Sequence, residues 1–282
     1  MSRSALLSRV LFGVVSVMGA GAFLYPFFLS EVPRSGEQFS HAADAPVLFA
    51  ILAPLLLIVA VVEVRGGRLD SKQVALLGIL CGINAVLRIP TGLAGAKLIY
   101  VLPIVCGYAF GPGFGFLLGA ATMAVSSIIT GGVGPWVPFQ MWALGWVGGG
   151  AGLLRPVLTR LGERGAVAGL AAYGWVAGYL YGALLNLWFW PYLGTLSDQL
   201  SWRPGLGIGT TLSHYWRFYL LTSLHWDSAA AVANAVLLVV LGRPLLRVLT
   251  RFRLRFAPAS FEPAEDAPAP IAATGTRAVA GA

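Results

Sequence analysis

Six side chains in this sequence are of kinds that recognise polar molecules: Arg88, Trp136, Gln140, Asn186, His225 and Asp227. Together they offer a guanidinium fork, two primary amides, an imidazole, a carboxylate and an indole face. That set suits binding better than bond breaking. The eleven acidic residues are scattered, and no two carboxylates share a motif near these positions, so paired acid–base work lacks a second member. His225-Trp-Asp227 has no second histidine in reach of its spacing, so no metal site is expected. Cys81 and Cys106 each stand inside an apolar run with no CxxC, and read as packing residues. No phosphate-binding loop occurs anywhere in the chain. The expectation is a binding protein with no catalytic residue, no cofactor and no metal.

The elements that position these groups follow from composition. Of 282 residues 57% are apolar and only 11% charged, against about a quarter charged in a soluble domain. A mean hydropathy of +0.79 leaves no polar surface for water. The chain is therefore expected to be an all-α integral membrane protein, with about eight spans of roughly 20 residues each. Apolar stretches run at 10–29, 46–63, 72–89, 95–110, 113–130, 136–154, 166–190 and 214–242. Ala20-Gly21-Ala22 has the small residues of a signal-peptidase site, but the apolar run continues through Leu29, which favours a retained helix.

The net charge of +8 marks topology rather than nucleic-acid binding. Arg3, Arg9, Arg65, Arg68, Lys72, Arg155, Arg160, Arg164, Arg277 and the run from Arg243 to Arg255 fall on one side. Only Arg34, Arg88, Lys97, Arg203 and Arg217 fall on the other. The positive-inside rule then places both termini in the cytoplasm of a multi-pass cell-membrane protein. Composition shifts divide the chain into a pair of N-terminal helices (1–66), a six-helix unit (67–256) and an Ala/Pro-rich tail (257–282) expected to be disordered. Asp70 and Gln73 form a capping-box pattern at the start of the third helix.

Helical rise puts the candidate residues at one depth. Measured from Lys72, Arg88 lies about 24 Å up the third helix, and Asn84 shares its face one turn below. Measured from Arg155, Gln140 lies about 22 Å and Trp136 about 28 Å up the sixth. Measured from Arg243, Asp227 lies about 24 Å and His225 about 27 Å up the last. Asn186 continues the stripe of Gly174, Gly178 and Gly182 to the outer end of the seventh helix. Separate helices thus deliver polar and aromatic groups near the outer face. The glycines at spacing four, Gly115 and Gly119 among them, read as close-approach stripes, and Gly111-Pro-Gly113 as a tight inner turn. Segment 191–213 is long for a connection and reads as a lid or binding element.

Two stretches carry a resemblance: Gly132-Val-Gly-Pro-Trp-Val-Pro-Phe-Gln-Met141 and Thr222-Ser-Leu-His-Trp-Asp227, followed by Gly242-Arg-Pro-Leu-Leu-Arg247. With the six-helix unit they resemble the substrate-binding (S) components of energy-coupling-factor (ECF) vitamin transporters. The resemblance implies a vitamin site near the outer face. It also implies docking, through the first helix of the unit, on a transmembrane T component driven by ATPase subunits. Many members carry two alanines at spacing four on that helix, where Gly78 and Gly82 stand here. The N-terminal helix pair is an addition, and His225 stands where similar sequences carry glycine. Many aromatics with few fixed charges suit a large amphiphilic cofactor, with a corrinoid such as cobalamin the first choice. The alternative is an intramembrane enzyme acting on a lipid or isoprenoid substrate, and a purely structural membrane partner is a third option.

Overall fold

The computed structural model describes residues 3–32, 40–66, 69–89, 98–193 and 197–255. The proposed tail, 257–282, and the topology markers Arg34, Arg68, Lys97 and Arg277 lie outside the described residues. Within them the chain is helical throughout: α1 (Arg3–Leu24), α2 (Ala45–Arg65), α3 (Ser71–Leu87), α4 (Val101–Phe110), α5 (Pro112–Ile129), α6 (Val137–Leu158), α7 (Gly162–Phe189), α8 (Ile208–Thr222) and α9 (Leu224–Arg255). Stretches Val10–Phe28, Ala45–Arg65, Pro112–Ile129, Val137–Tyr192 (α6 with α7) and Leu224–Arg253 are long and apolar enough to cross a membrane, whereas α3 and α4 are shorter. The chain is a membrane-embedded helical bundle.

Local signals set the helix ends. Asp70 accepts the Gln73 amide at 2.6 Å while Gln73 Oε1 accepts the Asp70 amide at 3.4 Å, so the expected capping box starts α3. Gly111 takes φ 108°, a conformation closed to side chains, and lets α4 turn directly into Pro112 at the head of α5. The stretch expected as one span over 214–242 is instead two helices broken at Ser223. The Thr222 hydroxyl bonds back to the Phe218 carbonyl and lies 3.1 Å from Ser223 Oγ, local bonds that compete with a continuous helix. The described part of the fourth stretch, 98–110, is helical from Val101, with Pro103 in the first turn.

Lipid tails are as apolar as leucine, so the bundle is held by close packing and buried hydrogen bonds. The centre is α4, α5 and α6, joined glycine to backbone. A Cβ on Gly115 would lie 2.6 Å from the Gly148 carbonyl carbon, and one on Gly119 2.6 Å from that of Leu144. On the other side Gly174 faces Leu238, Gly178 faces Ala231 and Gly182 faces Asp227, which seats α7 on α9. The N-terminal pair is tied in as well. Trp142 Nε1 donates to the Val15 carbonyl and Trp146 Nε1 to Ser16 Oγ, both at 3.1 Å, and Phe23 meets Phe139 edge to face at 5.0 Å. Glu63, buried at the end of α2, lies against Gly113 in the first turn of α5, where a helix N-terminus favours a carboxylate.

At the arginine-rich end, in the first turn of α7 and between the apolar stretches 136–154 and 166–190, Glu163 accepts from both Arg247 (2.8 and 3.2 Å) and Arg243 (3.3 and 3.4 Å). The Arg247 and then the Arg243 hydrogen bonds hold its carboxyl down to about 2. A depressed carboxyl contributes stability above its unfolded value of 4.5 and loses it as pH falls towards 2. The expected result is a melting temperature in detergent that drops between pH 4.5 and 2 by more in the wild type than in Glu163→Gln. The pair is solvent-exposed, so the difference should be small. Parallel curves would remove the pairing from the list of stabilising contacts.

Candidate functional site

The spacing of four that puts Asn84 and Arg88 on one face of α3 is answered on α5 by Thr122 and Ser126, also four apart. Two rungs join the helices. The lower is Asn84, fully buried, whose Nδ2 donates to Thr122 Oγ1 at 3.2 Å and to the Ile99 carbonyl at 3.0 Å. The upper is Arg88, whose guanidinium donates to Ser126 Oγ at 2.8 Å and to Gln140 Oε1 at 2.9 Å. Ser126 and Thr122 in turn donate to the carbonyls of Met123 and Leu118, leaving their lone pairs to α3. Arg88 therefore clasps three helices at once, and the fork fixes the Gln140 amide with its oxygen towards α3. Arg88 and Gln140 are each half-buried.

Trp136 sits one turn above Gln140, folded over its own turn, with Nε1 donating to the Gly132 carbonyl at 3.1 Å. Its ring meets Trp188 of α7 at 6.4 Å, and Trp188 meets Phe139 at 5.9 Å. Asp227 is buried on α9 against Gly182, where a Cβ would land on its carboxylate. Tyr181, on α7 next to Gly182, has its ring 5.0 Å from Tyr100. Arg88 and Gln140 are thus joined directly with Trp136 one turn above Gln140, while Asp227 lies on the seam of α7 and α9 beside Gly182. Asn186 stands apart, its Nδ2 donating to Ser223 Oγ at 2.7 Å where α8 gives way to α9. His225 is exposed, with its ring 4.5 Å from the exposed Trp226. Gly78 and Gly82 face open space, with nothing within 4 Å of a Cβ at either.

The connection expected over 191–213 ends earlier, where α8 starts at Ile208, and a second aromatic cluster packs around its described residues. Trp190 and Trp202 are buried with Phe218, and Phe27 from the segment after α1 meets both tryptophan rings. Trp190 Nε1 donates to the Leu200 carbonyl at 2.8 Å and His214 Nδ1 bonds the Ser201 carbonyl at 2.9 Å. Beside it opens a pocket of about 400 Å³ lined by Leu24, Phe27, Trp190, Trp202, Leu212 and Tyr215. Among the described residues no charged side chain lines it, and none of those picked from sequence does.

A further group escaped the sequence reading. His41, buried and in left-handed backbone conformation (φ 58°), bonds Asp44 Oδ2 through Nδ1 at 2.6 Å. The Tyr25 hydroxyl also donates to that carboxylate and lies 3.4 Å from the Tyr192 hydroxyl. Burial pushes the Asp44 carboxyl up, but the hydrogen bonds from His41 and Tyr25 outweigh it and hold the group below the usual range. The imidazole lies 4.6 Å from Phe139, 4.7 Å from Tyr192 and 5.9 Å from Trp188. The signal was His41-x-x-Asp44 just before a helix start, in a stretch otherwise without apolar periodicity.

Residues 72–242 match the family model for the ECF transporter, substrate-specific component. No curated protein and no solved structure gave a match.

Proposed function

Since this chain belongs to the family of ECF transporter substrate-specific components, we propose that it binds its substrate at the outer end of α3, α6, α7 and α9, around Arg88, Gln140, Trp136 and Asp227. Membership makes it a transporter subunit of the cell membrane and not an enzyme, so the lipid-enzyme alternative falls. It also implies a small-molecule substrate and work with a T component and ATPases. One observation carries the placement: Arg88 joins α3, α5 and α6 through Ser126 and Gln140, all inside the family match. Three helices converge on one fork that can pass its donors to an incoming carbonyl or anion. The aromatic walls beside it, Trp136, Trp188 and Phe139, supply stacking area for a large ring system. A corrinoid such as cobalamin is the substrate proposed. Asn186 and His225 belong to the rim of this reading rather than to its centre. The test is to purify the chain in detergent and identify any co-purifying small molecule by mass spectrometry. Recovery of a compact, strongly charged metabolite instead would reject the corrinoid.

Docking is assigned to α3. Gly78 and Gly82 leave a bare strip on a face no other part of the described chain covers, and a bare strip lets a partner helix approach closely. Leucine at both positions should leave substrate affinity and melting temperature unchanged in the isolated chain. Co-purification with the ATPase module should fall at least tenfold. Normal complex formation by the double variant would move the docking surface elsewhere.

A further inference from the structure

Arg243, Arg247 and Arg251 stand four apart on α9 and so share one face of that helix. Glu163 takes the first two, its single carboxylate divided between them. Arg251 is exposed and has no hydrogen-bond or ion-pair partner among the described residues. Beside it opens a cavity of about 370 Å³ between α7 and α9. Buried Ala166 and Leu246 form its floor, and exposed Glu163, Arg247, Thr250 and Arg251 form its rim. Charge here is one-sided, since segments 155–166 and 243–255 hold eight arginines and one acidic residue, Glu163. Below the arginines the same face of α9 changes character. Val240 and Val236 come seven and eleven residues before Arg247, which puts both within about 20° of its direction. Both are exposed, on a helix long and apolar enough to cross the membrane, so lipid tails cover them. One face thus carries guanidinium groups at the membrane surface and a bare valine track beneath.

We infer that this groove binds one anionic phospholipid, its phosphodiester held by Arg251 and Arg247 and an acyl chain laid along Val240 and Val236. The site lies at the arginine-rich end, and the inference does not depend on the substrate reading. A guanidinium fork matches two phosphate oxygens, and Arg251 is the fork with nothing yet to hold. The Thr250 hydroxyl stands beside it for a third oxygen or a headgroup hydroxyl. Glu163 has a positioning role. It fixes the Arg247 guanidinium at the rim, yet one carboxylate cannot neutralise three arginines, so the groove keeps a positive charge that favours a lipid of net negative charge. Free phosphate shares the headgroup chemistry but makes no use of the valine track. An acidic protein surface would meet the arginines from the water and would likewise leave the valines to the bilayer.

Dioleoyl-phosphatidylglycerol is the probe, titrated into the full chain in dodecyl maltoside at about 0.15 M salt and followed by the melting temperature. Saturating lipid should raise it by about 4 °C or more. Phosphatidylcholine with the same chains, and inorganic phosphate at the same concentration, should each give less than half that shift. Arg251→Gln should bind phosphatidylglycerol about fivefold more weakly, the factor that one basic residue contributes near an anionic lipid. Arg217→Gln removes the same charge from α8, away from the groove, and should bind as the wild type does. An equal shift with phosphatidylcholine would make the groove a seat for any acyl chain. An equal shift with inorganic phosphate would make it an oxyanion site, and one with soluble polyglutamate would give the arginines to an acidic protein surface. Each of these results overturns the lipid assignment, as does unchanged affinity in Arg251→Gln or an equal loss in Arg217→Gln.

Discussion

Alanine at Gly148 is expected to destabilise the bundle by about 1–3 kcal/mol or more, the range for forcing atoms into a filled core. The added methyl would lie 2.6 Å from the carbonyl carbon of Gly115, and a methyl at Gly115 meets Gly148 in the same way. Both obstacles are backbone, which cannot rotate aside as a side chain can. The two helices would have to separate, and in lipid nothing compensates for lost van der Waals contact. Melting in detergent, followed by tryptophan fluorescence, measures the loss. Gly82→Ala is the internal control, since it meets open space and replaces a poor helix former. Equal melting temperatures for the two variants would refute the close-approach account of α5 and α6.

The second large effect concerns affinity. Arg88→Ala or Gln140→Ala removes a partner from a half-buried charged hydrogen bond and should weaken substrate binding by about 1–3 kcal/mol, roughly 5- to 150-fold. Arg88→Lys should recover little, because one ammonium cannot span Ser126 and Gln140 as a fork does. Equilibrium binding of aquocobalamin, or of whatever molecule co-purifies, gives the number. Thermal melting on the same samples separates binding from bracing. Lower stability with unchanged affinity would make Arg88 a strut between α3, α5 and α6 and nothing more.

The two sites were not equally legible in the sequence. Arg88, Gln140 and Trp136 could be singled out as candidates because helical rise alone sets their depth, and a polar group in an apolar helix is conspicuous. Their partner Ser126 was not, since a serine in a membrane helix satisfies itself on its own backbone and advertises nothing. His225 shared the depth of Asp227 but not its direction: two residues along a helix face different ways. The break at Ser223 was hidden because Thr-Ser is an ordinary pair in a hydrophobic run, and only its local hydrogen bonding shows the competition. His41 lay in a connection, where periodicity says nothing and three-dimensional neighbours say everything. The glycine stripes read correctly as close approach on α5 and α7. On α3 the same spacing left an empty face, because a stripe states what can come near and not whether anything does.

The bond from the Trp142 indole to the Val15 carbonyl has a consequence for biogenesis. Its two halves leave the ribosome 127 residues apart, so α1 reaches the bilayer long before α6 exists. Until α6 arrives, that carbonyl remains engaged only by its own helix. When it does, the indole N–H needs an acceptor in a medium without water. With the first segment retained, the Val15 carbonyl supplies that acceptor. A signal-peptidase cut after Ala22 would release Val15, Ser16 and Gly19 together. It would strand the Trp142 and Trp146 indoles and empty the notch at Gly19 that Trp142 fills. Retention of the first helix keeps all of these contacts.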